Sequence, residues 1–222
     1  ANEFWMIEPE ICFCDLEELM NIEEDFLKYI VSYVLEHCSD EMKMLDSFVE
    51  KGLIEKLEKL VSSNFARIDH KDAIDILKKA DVKWEFEPDY NEDIAKEHER
   101  YLTNYFNGPV FIKNWPKDIK AYYMKLNPDN KTVAAVDLEV PGSGELMGGS
   151  QREENYDKLL SRMKEFNVNY EEIDWYLKLR EYGTTVHSGF GMGFERLIMY
   201  LTGIDNIRDV IPYPRTPGNC EY

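Results

Sequence analysis

Two stretches of the chain place residue types where chemistry needs them. The segment HSGFGMGFERLIMYLTG, residues 187–203, sets glycine at 189, 191 and 193 and then opens an apolar helix with Phe194, Glu195 and Arg196. In a strand, Gly189, Gly191 and Gly193 fall on one face, so the sheet there presents bare backbone. A flat ligand can lie on such a face, and so can a closely packed helix. The spacing is not a dinucleotide fingerprint, because GxGxxG from Gly189 requires glycine where Phe194 stands, and no P-loop GK[ST] occurs. Phe194, Leu197, Ile198 and Leu201 recur at helical spacing, which leaves Arg196 on the opposite side. An arginine in a first turn opposes the helix dipole, and Glu195 cannot meet it at i,i+1 spacing. A bound anion would reverse that penalty, since the guanidinium and the free N–H groups would then both face negative charge. A solvated arginine is the alternative.

The second stretch is VAAVDLEVPGSGELMGGSQRE, residues 133–153. Strand alternation puts Asp137 and Glu139 on one face and Val136, Leu138 and Val140 on the other. Glu145 joins the acids if the intervening loop has five residues and Glu139 pairs with Glu145; a symmetric four-residue loop sets Glu145 opposite Val140 instead. Carboxylates converging on one face repel unless cations lie between them, and Mg²⁺ bridging phosphate oxygens is the usual answer. A solvated face in an acidic protein is the plainer one. Gly148 and Gly149 clear space beyond, and Arg152 has the fork that recognises a carboxylate.

The elements that must position these residues can be read from patterning. With 44% hydrophobic and 13% aromatic residues over 222 positions, the chain can bury a sizeable core as one large or two small domains. Alternation over residues 4–11 reads as a strand entered midway, which, with no initiator methionine, suggests the C-terminal piece of something longer. Residues 16–38 form a long amphipathic helix, 40–61 are mainly helical, and 73–80 form a short helix with Asp69 and Asp72 as candidate caps. Residues 94–106 read as helix ending at Asn107-Gly108-Pro109. Strands follow at 110–112, 121–126 and 133–140, then a hairpin at 141–144, helices at 152–166 and 175–182, and the glycine segment. Strands joined by short turns imply an α+β fold, an antiparallel sheet flanked by helices.

Other classes are disfavoured. The net charge of −18 repels nucleic acid and anionic membranes on average, so a nucleic-acid partner needs a local basic patch or another region. Cys12, Cys14, Cys38 and Cys220 make no CxxC pair, and the four histidines lack metal-ligand spacing. With no signal peptide and no membrane-spanning apolar run, the expectation is a soluble cytoplasmic protein with no membrane partner.

Together these segments resemble the class II aminoacyl-tRNA synthetases, and among them the asparaginyl-tRNA synthetases of bacterial type. GFGMGFER is similar to the family's third signature, EFWMIEPE to the second strand of its motif 2, and EHERYL, KNWPKDIKAYYM and GSQREE to further blocks. IRDVIPYPRTPGN is similar to the family's C-terminus, so the likeness runs from Glu3 to Tyr222. It implies a class II catalytic-domain fold, incomplete, spanning residues 1–222 from the second strand of motif 2 through motif 3. Motif 1, the arginine of motif 2's first strand and the anticodon-binding OB domain would lie outside it. It also implies ATP and Mg²⁺ as cofactors, asparagine and tRNA(Asn) as substrates, and a homodimer for the full-length enzyme.

The resemblance assigns roles. Arg196 would hold the ATP γ-phosphate, Asp137 and Glu145 would bind Mg²⁺, which favours the five-residue loop, and Gly189, Gly191 and Gly193 would floor the adenosine and substrate sites. Arg152 would bind the side-chain carbonyl of the amino acid, while Glu8, or else Glu10 on the same strand face, would accept from the amide NH₂. Arg152 alone would prefer aspartate; a carboxylate facing Glu8 would meet like charge with nothing to donate. The rival readings are an aspartyl-tRNA synthetase, an aspartate–ammonia ligase and a non-catalytic synthetase-like module. The 222-residue piece alone is expected not to charge tRNA.

Overall fold

In a computed structural model, which describes residues 1–220, the opening alternation forms two short strands, β1 (Met6–Ile7) and β2 (Glu10–Cys12). Glu221 and Tyr222, the end of the expected likeness, lie outside the described residues. Both strands pair antiparallel with β7 (His187–Gly193), Met6 against Gly193 and Glu10 against Gly189. The register therefore runs on through Glu8 and Pro9, and only the hydrogen-bond ladder is interrupted. Pro9 has no N–H to give it. Asp15 and Glu18 then close a capping box on α1 (Leu16–His37), with bonds of 2.9 and 3.0 Å. The charged stretch that follows splits at Gly52, where φ is +87°, into α2 (Ser39–Phe48) and α3 (Leu53–Ser62).

β3 (Ala66–Asp69), a strand the patterning did not reveal, runs parallel to β4 (Val110–Pro116), so the otherwise antiparallel sheet has one parallel edge. A parallel pair needs a long crossover, and α4 (His70–Lys79) and α5 (Lys96–Tyr105) supply it. Asp69 precedes α4 without capping it; its carboxylate accepts from the Asn114 amide at 2.9 Å instead. The sheet is completed by β5 (Thr132–Val140) and β6 (Gly144–Gln151), in the order β1 and β2, β7, β6, β5, β4, β3.

Residues 121–126 are not a strand. They cross the sheet end and touch it through isolated bridges, Met124 with Arg152 and Leu126 with Val133, because Tyr122 and Tyr123 pack on the cluster formed by Leu159, Met163 and Leu177. That cluster joins α6 (Tyr156–Glu165) to α7 (Asp174–Glu181). The first of these starts four residues later than expected, after the Asn155 cap, which leaves Arg152 at the end of the β6 strand.

The back of the sheet is sealed. Val136, Leu138, Val140, Met147, Phe190 and Met192 meet α1, α3 and α8 (Phe194–Thr202) in one apolar core. On the front, α4 and α5 cover only one end, over Val110, Ile112, Val133 and Ala135. The expected stripe on α8 holds at Leu197 and Leu201, but Phe194 is 38% exposed and Glu195 is buried. The reason is a bond: the Trp5 N–H donates to both carboxylate oxygens of Glu195, at 2.9 and 3.1 Å, which ties the chain leading into β1 to the start of α8. Among the described residues no helix is long and apolar enough to cross a membrane.

Candidate active site

The uncovered half of the front face is the floor of an open cavity of about 790 Å³. Met6, Glu8 and Glu10 line it from the motif EFWMIEPE, Asp137 and Glu145 from the β5–β6 hairpin, Gly148, Gly149 and Gly191 from the floor, and Arg152 from its far end. Tyr122, Tyr123 and Met124 and, from α7, Trp175 and Tyr176 wall it. No helix packs over the face at Gly189 and Gly191: the atoms nearest to where side chains would stand belong to Glu10 and Arg152 at Gly189 and to Met6 and Glu8 at Gly191, while Gly193 is met by Arg196 of α8. The fit is close: an alanine Cβ at Gly189 would lie 2.4 Å from Glu10 Oε1 and 2.7 Å from an Arg152 Nη, so the ends of those two side chains would have to move.

Arg152 is held on every side. Its Nε donates to Glu10 at 3.1 and 3.2 Å, an Nη also reaches Glu10, the other donates to Ser150 Oγ at 2.5 Å, and the guanidinium lies over the Tyr123 ring, 5.3 Å from its centroid. Glu8, by contrast, has no hydrogen-bond partner among the described residues and lines the cavity over Gly191.

Strand alternation carries Asp137 and Glu139 to the front as expected. The loop is the longer of the two alternatives: Glu139 pairs with Glu145, and the register shifts there because Leu146 and Met147 both turn into the back core opposite Leu138. Glu145 Oε1 and Asp137 Oδ1 consequently converge over Gly148, 2.9 and 3.2 Å from where a Cβ would be. This face is not solvated: Asp137 is 8% exposed and Glu139 2%. Burial, with Glu145 adding to it, pushes the Asp137 carboxyl up to about 6 against the attraction of Lys120, whose Nζ is 2.5 Å from Oδ2. Glu139 is pushed well up by burial and by Glu99, and its Oε2 is buried without a partner. Glu23 of α1, buried beneath Gly149 with both oxygens unpartnered, is raised by burial and by Asp137.

Gly193 and Arg196 stand apart from the cavity wall. Arg196 is exposed, and its guanidinium donates 2.5 Å to the main-chain carbonyl of Glu145, the backbone of the very residue whose carboxylate lines the floor. Lys120 and Tyr123 lie in the block KNWPKDIKAYYM and Glu99 in EHERYL, segments that the resemblance marked without giving these residues a role. Each comes from a loop or helix remote in the chain, and none sits at a diagnostic spacing from its partner.

The chain resembles proteins of known kind throughout. Residues 1–217 match a family model described as tRNA synthetases class II (D, K and N). An asparagine–tRNA ligase of Acholeplasma laidlawii is 62% identical over 223 residues, an alignment covering all of this chain and 48% of that protein. The solved asparaginyl-tRNA synthetase of Pyrococcus horikoshii has a TM-score of 0.86 at 39% identity, covering 97% of this chain and 50% of that one. That of Entamoeba histolytica, in complex with asparaginyl-adenylate, gives 0.86 at 33%, covering 99% and 49%. The chain thus spans about half the length of the curated relatives it matches. Its glycine floor, paired acids and terminal arginine lie within the matched residues, and the chain belongs to the class II tRNA synthetases of the D, K and N group.

Proposed function

We propose that the intact protein is an asparagine–tRNA ligase, which activates asparagine with ATP and passes it to tRNA(Asn), and that this chain is the C-terminal part of its catalytic domain. One observation carries the reading: a free carboxylate, Glu8, a fixed guanidinium, Arg152, and the Asp137–Glu145 pair line a single glycine-floored cavity. That the 62% identical relative is an asparagine–tRNA ligase supports asparagine over the aspartyl and ammonia-ligase alternatives. A cytoplasmic homodimer, and an inactive 222-residue piece, belong to the same proposal.

In this reading Arg152 donates to the side-chain carbonyl of asparagine. Its direction is set by Glu10, which has spent its oxygens on the guanidinium, so Glu8 is the carboxylate left to accept from the NH₂. Aspartate would bring a second carboxylate to Glu8 with no proton to offer. Gly191 and Gly193 leave room for adenine and ribose, and Arg196 exchanges the Glu145 carbonyl for the γ-phosphate. The α-carboxylate then attacks the α-phosphorus, a P–O bond forms and pyrophosphate leaves. A hydroxyl of the tRNA's 3′ adenosine next attacks the acyl carbon and AMP departs. No side chain need carry a proton in the first step, so positioning and charge neutralisation supply most of the acceleration.

Asp137 and Glu145 fit Mg²⁺. Two hard oxygens converge over Gly148, and a magnesium ion takes one or two carboxylates and completes its shell with phosphate and water oxygens. The two carboxylates would hold the ion, and it would neutralise developing phosphate charge.

The test is ATP–pyrophosphate exchange by the intact protein with asparagine or aspartate. Asparagine-dependent exchange, abolished in Arg196→Ala, is expected; aspartate-dependent exchange overturns the specificity.

A further inference from the structure

Lys120 reaches the acidic floor from residues 117–131, between β4 and β5, and takes no part in the reading above. Its Nζ donates to Asp137 Oδ2 at 2.5 Å while the other oxygen, Oδ1, is turned toward Glu145 over Gly148. The ammonium is fixed from a second direction by the ring of Trp115, 3.9 Å from its centroid. That ring is itself immobile: Trp115 is 1% exposed, its Nε1 donates to the Ile112 carbonyl at 2.8 Å, and His70 packs on it at 4.5 Å between centroids. Both partners of the ion pair are largely enclosed, with side-chain exposures of 16% and 11%.

We propose that Lys120 is a positioning residue for Asp137: by capturing Oδ2 it turns Oδ1 toward Glu145, so that the two carboxylates present their oxygens to one Mg²⁺ on the bound nucleotide. The inference rests on the reading of Asp137 and Glu145 as the metal-holding pair. The χ2 torsion of an aspartate is soft and roughly two-fold, so the carboxylate takes whatever orientation its surroundings dictate. Around Asp137 those surroundings are otherwise acidic, with Glu145, Glu139 and Asp93 all contributing negative potential. Without the ammonium, Asp137 would rotate away from Glu145. Hydrogen-bonding partners of metal ligands commonly govern affinity by 10–100-fold.

The experiment measures the dissociation constant of Mn²⁺·ATP for the intact protein by electron paramagnetic resonance, with circular dichroism as a check of folding. Lys120→Met should bind 10–100-fold more weakly, and Lys120→Arg should stay within about threefold of the parent. Combined with Asp137→Asn, Lys120→Met should add almost nothing, because a residue acting through Asp137 has no effect once Asp137 is gone. Should Lys120→Met unfold, Lys120→Gln carries the same expectation. Undiminished binding in Lys120→Met, equal loss in Lys120→Arg, or fully additive losses in the double variant overturn the proposal. Undiminished binding in Asp137→Asn overturns the metal-holding reading itself.

Discussion

On its front face the sheet carries Val110, Ile112, Val133 and Ala135 at the β3–β5 end, and Gly148, Gly189 and Gly191 at the β6–β7 end. The first set is roofed by α4 and α5, while above the second lies a cavity with charged walls. Behind both runs the same sealed apolar core. The difference lies chiefly in side chains, because β4, β5, β6 and β7 form one antiparallel sheet with register shifts only at Lys113/Trp115 and Leu138/Glu139. Where branched aliphatics project, burial rewards a covering helix; where glycine stands there is nothing to bury, and the adjacent strand can lean Met6, Glu8 and Glu10 over bare backbone. Adjacent residues of β7 therefore answer to different demands, stability on the back and ligand geometry on the front.

Substituting neighbours on that strand separates the two demands. Phe190 is 3% exposed on the back and packs on Phe26 at 5.7 Å. Phe190→Ala should cost about 3–5 kcal/mol of stability, measured by urea unfolding of the intact protein. A cost below about 1 kcal/mol would mean that the back core does not hold this strand. At the roofed end of the front, His70 is 2% exposed and kept neutral, its pKa pushed down from 6.5 to about 4 by burial, against the Glu92 carbonyl and with Lys120 assisting. The unfolded chain takes up the proton first as pH falls. Stability from a neutral His70 is complete above about pH 6.5 and drains away toward pH 4. Parent protein should lose roughly 3 kcal/mol more than His70→Gln across that window; parallel pH profiles would contradict it.

How much of this could be read in the chain follows the same division. The glycine ribbon, the alternation of Asp137 and Glu139, and the long helix α1 were legible because each rests on a period of two or 3.6 within one element. The hairpin register was not, since it turns on Leu146 sharing the back core with Met147, a choice made by packing. Residues 121–126 read as a strand because Tyr122 and Tyr123 have strand propensity, yet they are claimed by α6 and α7. Lys120 on Asp137, Glu10 on Arg152 and the Trp5 bond to Glu195 each join residues far apart in the chain, and nothing in local spacing announces them. The fold class was thus legible from periodicity and the site's framework from its glycines. The partners that aim the charged groups were not.

Gly189, one position before Phe190, should behave inversely to it. A Cβ there would push into Glu10 and Arg152 and part the pair. Gly189→Ala should lower asparagine-dependent pyrophosphate exchange by on the order of 100-fold, about 2.7 kcal/mol, while unfolding free energy shifts by less than about 1 kcal/mol. Equal activity would mean that the Glu10–Arg152 contact is dispensable to the substrate site.

The smallest expected effect sharpens the boundary between the two halves of β7's surroundings. Glu195 belongs to the sealed side, 7% exposed at the start of α8, yet what it grips is the main chain at Trp5, just before the strand whose Met6 and Glu8 face the cavity. Because both carboxylate oxygens accept from one N–H, Glu195→Gln keeps an acceptor but loses the charge that strengthens the bond, and about 1–2 kcal/mol should be lost locally. β1 is only two residues long, so it has little ladder of its own to resist opening. Amides of Met6 and Ile7 should therefore exchange roughly 5–30-fold faster in the variant, while those of Met147 and Phe190, central to the sheet, keep their rates. Exchange that accelerates equally in both places would mean that Glu195 supports the sheet as a whole, and the site strand would then have no separate anchor.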